Sequence, residues 1–259
     1  MTEEKILKAL KKELRLPSGY DICVQAMKDI LGEKQNNKTW IKRNFSYLVE
    51  KVQLKAYELY LGAERPAVTS AFKIVLGKEL PAQATSEDFF ELLKRNFWAL
   101  DKFFLGLTQG RRPRAGKAFE HVIKVLFKTL GYPYTPQAVI NGQPDFLLPS
   151  VEHFRDNPMD CIIFTVKRTL RERWRQITTE GTQGHLFFLA TIDEGVASRD
   201  LPEMLKNRIY LVVPEKIRKG CYSEQKNVIS FETFFKNHLD PAMARWRSDG
   251  ILKHLSQND

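Results

Sequence analysis

The stretch Cys161-Ile-Ile-Phe-Thr-Val166 decides the fold, and Lys167 follows it directly. It is apolar and rich in β-branched residues, which is typical of a central strand that is buried on both faces. Two later stretches, 185–191 and 208–213, have the same character, and a helix is predicted between them. Apolar strands that alternate with helices predict an α/β fold, in which helices flank a mixed sheet.

The first hundred residues have a purely helical pattern. Apolar residues recur there at helical spacing, as at Ile6 and Leu10. Gly62 is expected to end one helix and Pro66 to begin the next. Strand patterns begin only after the break at Gly106-Leu-Thr-Gln-Gly110. The predicted domains are therefore an all-α N-terminal domain, residues 1–106, and an α/β domain, residues 107–259.

A helix and a hairpin are predicted directly after this break. The helix runs from Lys117 to Leu130, where apolar residues form one face. Gln137 to Ile140 has the pattern of a strand, and Asn141-Gly142 is a typical hairpin turn. The returning strand is expected to start at Pro144-Asp145.

The composition is that of an ordinary folded protein, with 259 residues, 43% apolar and 28% charged. No apolar run approaches the ~20 residues that span a bilayer, and the first residues lack the pattern of a signal peptide. Cys23, Cys161 and Cys221 lie far apart and form neither a disulfide framework nor a zinc-ligand pair. These features predict a protein of the reducing cytoplasm that has no membrane partner.

The positive charge of the chain is concentrated in two runs. The net charge is +10 and the pI is about 9.4. The first run, 111–117, contains four basic residues and no acidic one. The second run, 167–175, contains five basic residues and one acidic residue, Glu172. Because both runs flank carboxylates that could hold a metal, they favour nucleic acid as the partner over a generic solvated surface.

Asp145, Lys167 and Glu180 are the candidate catalytic residues. Asp145 is predicted at the start of one strand and Lys167 at the end of the central strand, so neighbouring strands would bring both to one sheet edge. Glu180 follows on the helix after Lys167, and Glu120 supplies a further carboxylate from the first helix of this domain. Carboxylates beside a lysine are suited to a divalent metal next to a phosphate.

The order of these residues fits the loose Pro-Asp … (Asp/Glu)-X-Lys signature of metal-dependent nucleases. Thr165 stands where the signature has an acidic residue, and Glu180 could supply the missing carboxylate. The signature also occurs by chance, so the alternative is an ordinary strand that ends in an exposed lysine.

Several longer blocks occur in an order that is typical of one family. They are Arg114-Ala-Gly-Lys-Ala-Phe-Glu120, Gln137-Ala-Val139, Pro144-Asp-Phe-Leu-Leu-Pro149, Val166-Lys167, Arg173-Trp-Arg-Gln-Ile177, Glu194-Gly-Val196 and Leu211-Val-Val-Pro214. Over roughly residues 107–220 the chain thereby resembles the catalytic domain of the EcoRII-type restriction endonucleases. This CCGG-core group also includes PspGI, NgoMIV and BsaWI.

The resemblance implies a restriction-endonuclease-like fold, of the PD-(D/E)XK variant in which the second acid is replaced. It also implies Mg²⁺-dependent cleavage of double-stranded DNA to 5′-phosphate ends, within a prokaryotic restriction–modification system. In this group the metal carboxylate lies on the helix after the lysine. Asp145 and Glu180 are therefore expected to hold the metal, with Lys167 completing the catalytic core and Glu120 supporting it.

The resemblance further implies that a short basic segment before the first catalytic-domain helix reads the C·G pairs. The residues expected to read bases are Arg111, Arg112 and Arg114. Pro113 stands where some relatives have an acidic residue between the arginines. The residues expected to contact the DNA backbone are Lys117, Arg168, Arg171 and Arg175, the last three of which share one helical face.

Under this hypothesis the target is CCGG with flanking bases. The alternative is a CCNGG or CCWGG site, from which the central bases are extruded. A palindromic site predicts a homodimer or a higher oligomer, in which the N-terminal domain enlarges the interface or embraces the DNA. Two other function classes stay open: a DNA-binding protein without catalysis, and a repair nuclease that reads DNA structure.

Overall fold

The computed structural model of the protein describes residues 2–140, 142–170 and 187–253. These residues form two compact units. The helical unit comprises those within Met1–Ala26 and Leu54–Ala118, and the sheet unit those within Met27–Gln53 and Phe119–Asp259. This grouping differs from the predicted division after residue 106, because two long helices each contribute residues to both units.

Helices make up most of the described chain. They are α1 (Glu3–Glu13), α2 (Gly19–Leu31), α3 (Lys38–Arg43), α4 (Phe45–Val75), α5 (Ser86–Arg95), α6 (Phe97–Leu130), α7 (Val151–Asp156), α8 (Asp200–Lys206), α9 (Glu215–Cys221), α10 (Phe231–Phe234) and α11 (Asp240–Ser248). The segment Phe235–Leu239, between α10 and α11, is π-helical. Within the described ranges, none of the helices combines the length and apolarity that a membrane span requires.

Two helices are longer than the sequence pattern predicts. Helix α4 continues through Gly62 and Pro66, so the break predicted there is wrong. Helix α6 likewise continues through the break predicted at Gly106–Gly110, and also through Pro113. A proline inside a helix costs about 3 kcal/mol or more. Burial of apolar side chains on both helices offsets this cost, because they share one core that includes Ala71, Val75, Phe103 and Leu107.

Helices α1 and α5 complete the core of the helical unit. Ile6 and Leu10 of α1 are fully buried there, as their helical spacing predicts, and Leu92 of α5 packs with them. A capping box fixes the start of α5, since the Thr85 side chain accepts a hydrogen bond from the Asp88 amide and the Asp88 carboxylate accepts one from the Thr85 amide.

The sheet unit contains one mixed sheet, whose six described strands lie in sequence order. They are β1 (Thr135–Pro136), β2 (Phe146–Leu148), β3 (Ile162–Val166), β4 (Phe187–Ala190), β5 (Ile209–Val213) and β6 (Val228–Ser230). Strands β1 to β3 pair antiparallel, and β3 to β6 pair parallel. Every residue of β3 is buried, which confirms the prediction of a central strand covered on both faces.

The strand predicted at Gln137–Ile140 is misplaced. The first strand instead pairs Thr135 and Pro136 with β2. Gln137 follows with a φ of 48°, and this left-handed conformation ends the extended backbone.

The two faces of the sheet are packed differently. On one face, Phe146, Phe164 and Phe188 lie in register on neighbouring strands and pack against Phe127 of α6 and Phe234 of α10. The opposite face is mostly aliphatic and packs against residues of α7, α8 and α9. Because successive side chains of a strand point to opposite faces of the sheet, a continuous apolar strand contributes to the core on both faces. The predicted α/β sheet with flanking helices is thereby confirmed.

A partly buried carboxylate, that of Asp160, anchors the residues that lead into β3. Asp160 accepts hydrogen bonds from His153 of α7 at 2.9 Å, Arg245 of α11 at 2.7 Å and the indole of Trp246 at 2.8 Å. Burial works to raise the pKa of Asp160, but these hydrogen bonds outweigh it and hold that pKa below its ordinary range. These hydrogen bonds therefore connect the start of the central strand to helices α7 and α11.

His238 makes the stability of the sheet unit depend on pH. Its ring lies 4.8 Å from that of Phe188 and 5.6 Å from that of Tyr210, and burial lowers its pKa below the ordinary 6.5. The unfolded chain then takes up a proton that the folded chain resists, so the free energy of unfolding should decrease as the pH falls below 6.5. We expect His238→Gln to flatten this dependence in thermal unfolding between about pH 5 and 8. A variant with the wild-type pH profile would contradict this role.

Candidate active site

Asp145 lies at the edge of the sheet, directly before β2. Its Oδ2 accepts a hydrogen bond from the backbone amide of Val166 at 2.7 Å and one from Lys167 Nζ at 3.3 Å. The antiparallel register, which pairs Phe146 with Phe164, brings the start of β2 beside the end of β3. The residue is 8% exposed, so its carboxylate is held by the protein rather than by solvent.

Lys167 lies at the same edge because its backbone extends the β3–β4 ladder by one residue. Its amide donates a hydrogen bond to the carbonyl of Ala190 at 2.9 Å. The side chain is 36% exposed, so the ammonium contacts Asp145 and also faces solvent. The structure thus brings together two of the predicted catalytic residues, one carboxylate and one cation, at an accessible edge of the sheet.

The donor set at this edge suits a hard divalent cation. Only Oδ2 of Asp145 accepts hydrogen bonds from described residues, which leaves Oδ1 available as an oxygen ligand. Mg²⁺ needs only one or two protein carboxylates, because water and phosphate oxygens complete its coordination. In the described part of the chain, no group of three or more acidic, histidine or cysteine side chains could hold a metal. A metal at this edge would therefore need ligands besides the described side chains, such as water and phosphate oxygens.

The other residues predicted to be catalytic or to contact the DNA backbone are only partly covered by the described ranges. Thr165 is buried in β3, at the position where the nuclease signature has an acid. Glu120 is half-buried on α6 in the sheet unit, and Arg168 is exposed directly after Lys167. Glu180, Arg171 and Arg175 lie outside the described residues.

The predicted base-reading arginines lie on α6, in the helical unit. Arg111 forms an ion pair with Glu64 of α4, which is 5% exposed. Arg114 donates a hydrogen bond to the Tyr60 hydroxyl at 2.5 Å, and that hydroxyl donates to Glu64 at 2.5 Å. One buried carboxylate therefore links both arginines. Lys117 is exposed on α6, and Arg112 lies on the same helix.

Glu64 is charged despite its burial. Burial works to raise its pKa, but hydrogen bonds from Arg111 and Tyr60 and the positive charge of the arginines outweigh it and lower that pKa. Burial and the hydrogen bond to Glu64 raise the pKa of Tyr60 to about 12, so the phenol remains a donor. The arginine cluster therefore includes a fixed negative charge on the neighbouring helix.

Sequence reasoning missed two residues that organise these regions. Asp193, after β4, accepts hydrogen bonds from the amides of Leu170 at 2.8 Å and Gly195 at 2.9 Å. It thereby fixes the backbone that follows Lys167. Glu64 was missed because it looks like one more surface acid on a long helix. No local sequence signal distinguishes either residue, since their partners are distant in the chain.

A family model supplies the decisive comparison. The model described as EcoRII C terminal matches residues 83–235, which is more than half of the chain and includes both Asp145 and Lys167. The chain belongs to the EcoRII C-terminal family. The resemblance to EcoRII-type enzymes that the motifs predict is therefore confirmed, and the two predicted catalytic residues lie inside the matched region.

Two curated relatives extend this comparison. The chain is 33% identical over 138 residues to the type II restriction enzyme EcoRII of Escherichia coli, and the aligned region covers 50% of this chain. It is 25% identical over 148 residues to the type II restriction enzyme SsoII of Shigella sonnei, which covers 52% of this chain. The matched regions span only 34% of EcoRII and 48% of SsoII.

Solved structures show that this member of the EcoRII C-terminal family has the restriction-endonuclease-like fold. Metal-depleted Ecl18kI in complex with uncleaved DNA matches with a TM-score of 0.77 and 21% identity, over 96% of this chain and 86% of that chain. A PspGI–substrate DNA complex matches with a TM-score of 0.61 and 20% identity, over 86% of this chain and 92% of that chain. The fold class predicted from the sequence is confirmed.

Proposed function

We propose that this protein is a type II restriction endonuclease that cleaves double-stranded DNA. The observation that carries the proposal is the contact between the Asp145 carboxylate and the Lys167 ammonium at the end of a buried strand. Membership of the EcoRII C-terminal family supports it, as do curated relatives that are named type II restriction enzymes. Such an enzyme acts where prokaryotic DNA is, in the cytoplasm, as part of a restriction–modification system.

The catalytic step assigned to this site is hydrolysis of a phosphodiester. Water attacks the phosphorus and gives up a proton to solvent, the bond to the 3′ oxygen breaks, and that oxygen takes up a proton from solvent. The phosphate remains on the 5′ end. Lys167 orients the attacking water and offsets the charge that develops on the phosphate oxygens. The hydrogen bond from the Val166 amide to Oδ2 helps to hold the Asp145 carboxylate in place.

Mg²⁺ is the cofactor that fits these donors best. Asp145 and Glu180 would hold it, with Glu120 as the supporting acid, because oxygen ligands in this small number are what Mg²⁺ requires. When bound, the ion supplies Lewis-acid stabilisation of the phosphate and favours deprotonation of water at neutral pH.

We assign recognition of C·G pairs to Arg111, Arg112 and Arg114. Arginine binds guanine O6 and N7 through two hydrogen bonds, which contribute about 1–3 kcal/mol of discrimination. Arg111 and Arg114 contact Glu64 and Tyr60 in the structure, but a guanidinium has five N–H donors and keeps some of them for a base. Contacts to the phosphate backbone are assigned to Lys117, Arg168, Arg171 and Arg175.

The proposed target is a palindromic site with a CCGG core and flanking bases. A palindrome is matched by a two-fold symmetric protein, so the active form is a homodimer in which each chain cuts one strand. The helical N-terminal region, residues 1–106, would extend the dimer interface or embrace the DNA. A sedimentation mass of one chain in the DNA complex would contradict this assembly.

Plasmid cleavage tests the proposed function and the role of Lys167 together. With Mg²⁺, the wild-type protein should give discrete bands whose sequenced ends share a CC/GG core. Lys167→Ala should lower the cleavage rate by roughly 10²–10³-fold or more, because the charge that stabilises the transition state is lost. Its affinity for the same DNA should change little.

The matched control is Lys206→Ala, an exposed lysine on α8 that should leave cleavage unchanged. A smear in place of bands would indicate a nuclease without sequence specificity, and intact DNA a binding protein without catalysis. Cleavage by Lys167→Ala at the wild-type rate would contradict the site assignment.

Recognition by Arg114 can be separated from its structural contact with Tyr60. Arg114→Ala should weaken binding to the specific site by about 1–3 kcal/mol and binding to unrelated duplexes far less. Tyr60→Phe removes the hydroxyl partner but keeps the cation, so specific binding should be retained. Equal losses on both DNAs with Arg114→Ala, measured by titration at one salt concentration, would indicate a phosphate contact instead.

A further inference from the structure

The sheet unit contains a cavity of about 650 Å³ that the proposed function does not use. It lies among α3, the end of α6, α10, the π-helical segment and α11, and neither Asp145 nor Lys167 lines it. Binding sites for small ligands typically have volumes of about 300–1,000 Å³. We refer to this space as the basic cavity.

The walls of the basic cavity are strongly cationic. Five basic side chains and two carboxylates line it. Both carboxylates have protein partners. Asp240 accepts hydrogen bonds from Lys42 at 2.6 Å and from the Tyr132 hydroxyl at 2.8 Å, and Glu232 accepts from the Ser46 amide at 2.8 Å and hydroxyl at 2.7 Å. Both carboxylates therefore already accept hydrogen bonds from protein groups.

Four of the basic side chains have no ion-pair partner among the described residues. Lys38, Arg43, Lys236 and Arg247 are exposed, and none of them forms an ion pair with another described residue. The five basic side chains outnumber the two carboxylates of the lining by three, and this excess focuses positive potential inside the cavity. An anionic ligand would offset that excess.

The cavity also has apolar lining residues. The rings of Tyr132 and Phe235 stack with centroids 5.6 Å apart and an interplanar angle of 9°, and Leu130 and Met243 lie beside them. Lys42 Nζ lies 5.2 Å from the centre of the Tyr132 ring. Burial and the hydrogen bond to Asp240 raise the pKa of Tyr132 far above its ordinary range, so the phenol adds no negative charge to the site.

We propose that the basic cavity is a second binding site, which takes the phosphate groups of a nucleotide. Lysine and arginine on the rim match phosphate oxygens through charge-assisted hydrogen bonds, and the apolar lining residues suit the uncharged part of the ligand. Phosphate of this kind has two sources, a free nucleotide or the backbone of a DNA segment outside the cleavage site. The site is independent of the cleavage chemistry proposed above.

Binding of defined probes to charge variants tests this site. The test variant is Lys236→Gln with Arg247→Gln, and the matched control is Lys206→Gln with Lys216→Gln, which removes the same charge from exposed positions on α8 and α9. Thermal unfolding first shows that both remain folded. The probes are adenosine triphosphate, tripolyphosphate and a short duplex without a CC/GG core, titrated by calorimetry at several salt concentrations.

If the ligand is a free nucleotide, the test variant should bind adenosine triphosphate and tripolyphosphate at least about tenfold more weakly than the wild type does. The control variant should bind both probes as tightly as the wild type. If the source is the DNA backbone, the small probes should not bind, and the salt slope of duplex binding should decrease by about 0.9 for each lost contact in the test variant alone. Equal behaviour of the test variant and the control with every probe would overturn the proposal.

Discussion

The site depends on one buried hydrogen bond, from the Val166 amide to the Asp145 carboxylate at 2.7 Å. It exists because β2 and β3 pair antiparallel, which brings the start of one strand beside the end of the other. The next residue, Lys167, is held by its own amide against Ala190, so parallel pairing with β4 fixes the cation as well. Apolar packing on both faces of β3 stabilises this register, since a shift by one residue would turn every core side chain towards the wrong face.

A second fixed charge organises the helical unit. Glu64 is buried on α4 and holds Arg111 directly and Arg114 through Tyr60. A buried carboxylate without these partners would be costly, so the arginines stabilise the helix pair whether or not DNA is present. The same contacts restrict the orientation of the guanidinium groups, which would reduce the entropy lost in the base recognition proposed above.

The sequence predicts the sheet better than it predicts the helices. Strands β3, β4 and β5 were predicted within a few residues, because runs of buried apolar residues are a strong local signal. The helix breaks at Gly62 and Gly106 were predicted wrongly, because the burial of residues such as Phe103 outweighs the local preference of glycine and proline. The contact between Asp145 and Lys167 followed from strand order, whereas the roles of Asp193 and Glu64 depend on partners that only the tertiary structure brings together.

The central claim is that the Asp145 carboxylate, held beside Lys167, is required for phosphodiester hydrolysis. The most direct measurement is the single-turnover cleavage rate of a duplex by Asp145→Asn in Mg²⁺, with Asp156→Asn on the exposed side of α7 as the control. Asparagine keeps an oxygen for the Val166 amide, removes the negative charge and replaces the second carboxylate oxygen with an NH2 group that cannot bind a metal. The account predicts a fall of roughly 10²–10³-fold or more for Asp145→Asn, with folding and duplex affinity retained, and no change for the control. A rate for Asp145→Asn equal to that of the wild type would contradict it.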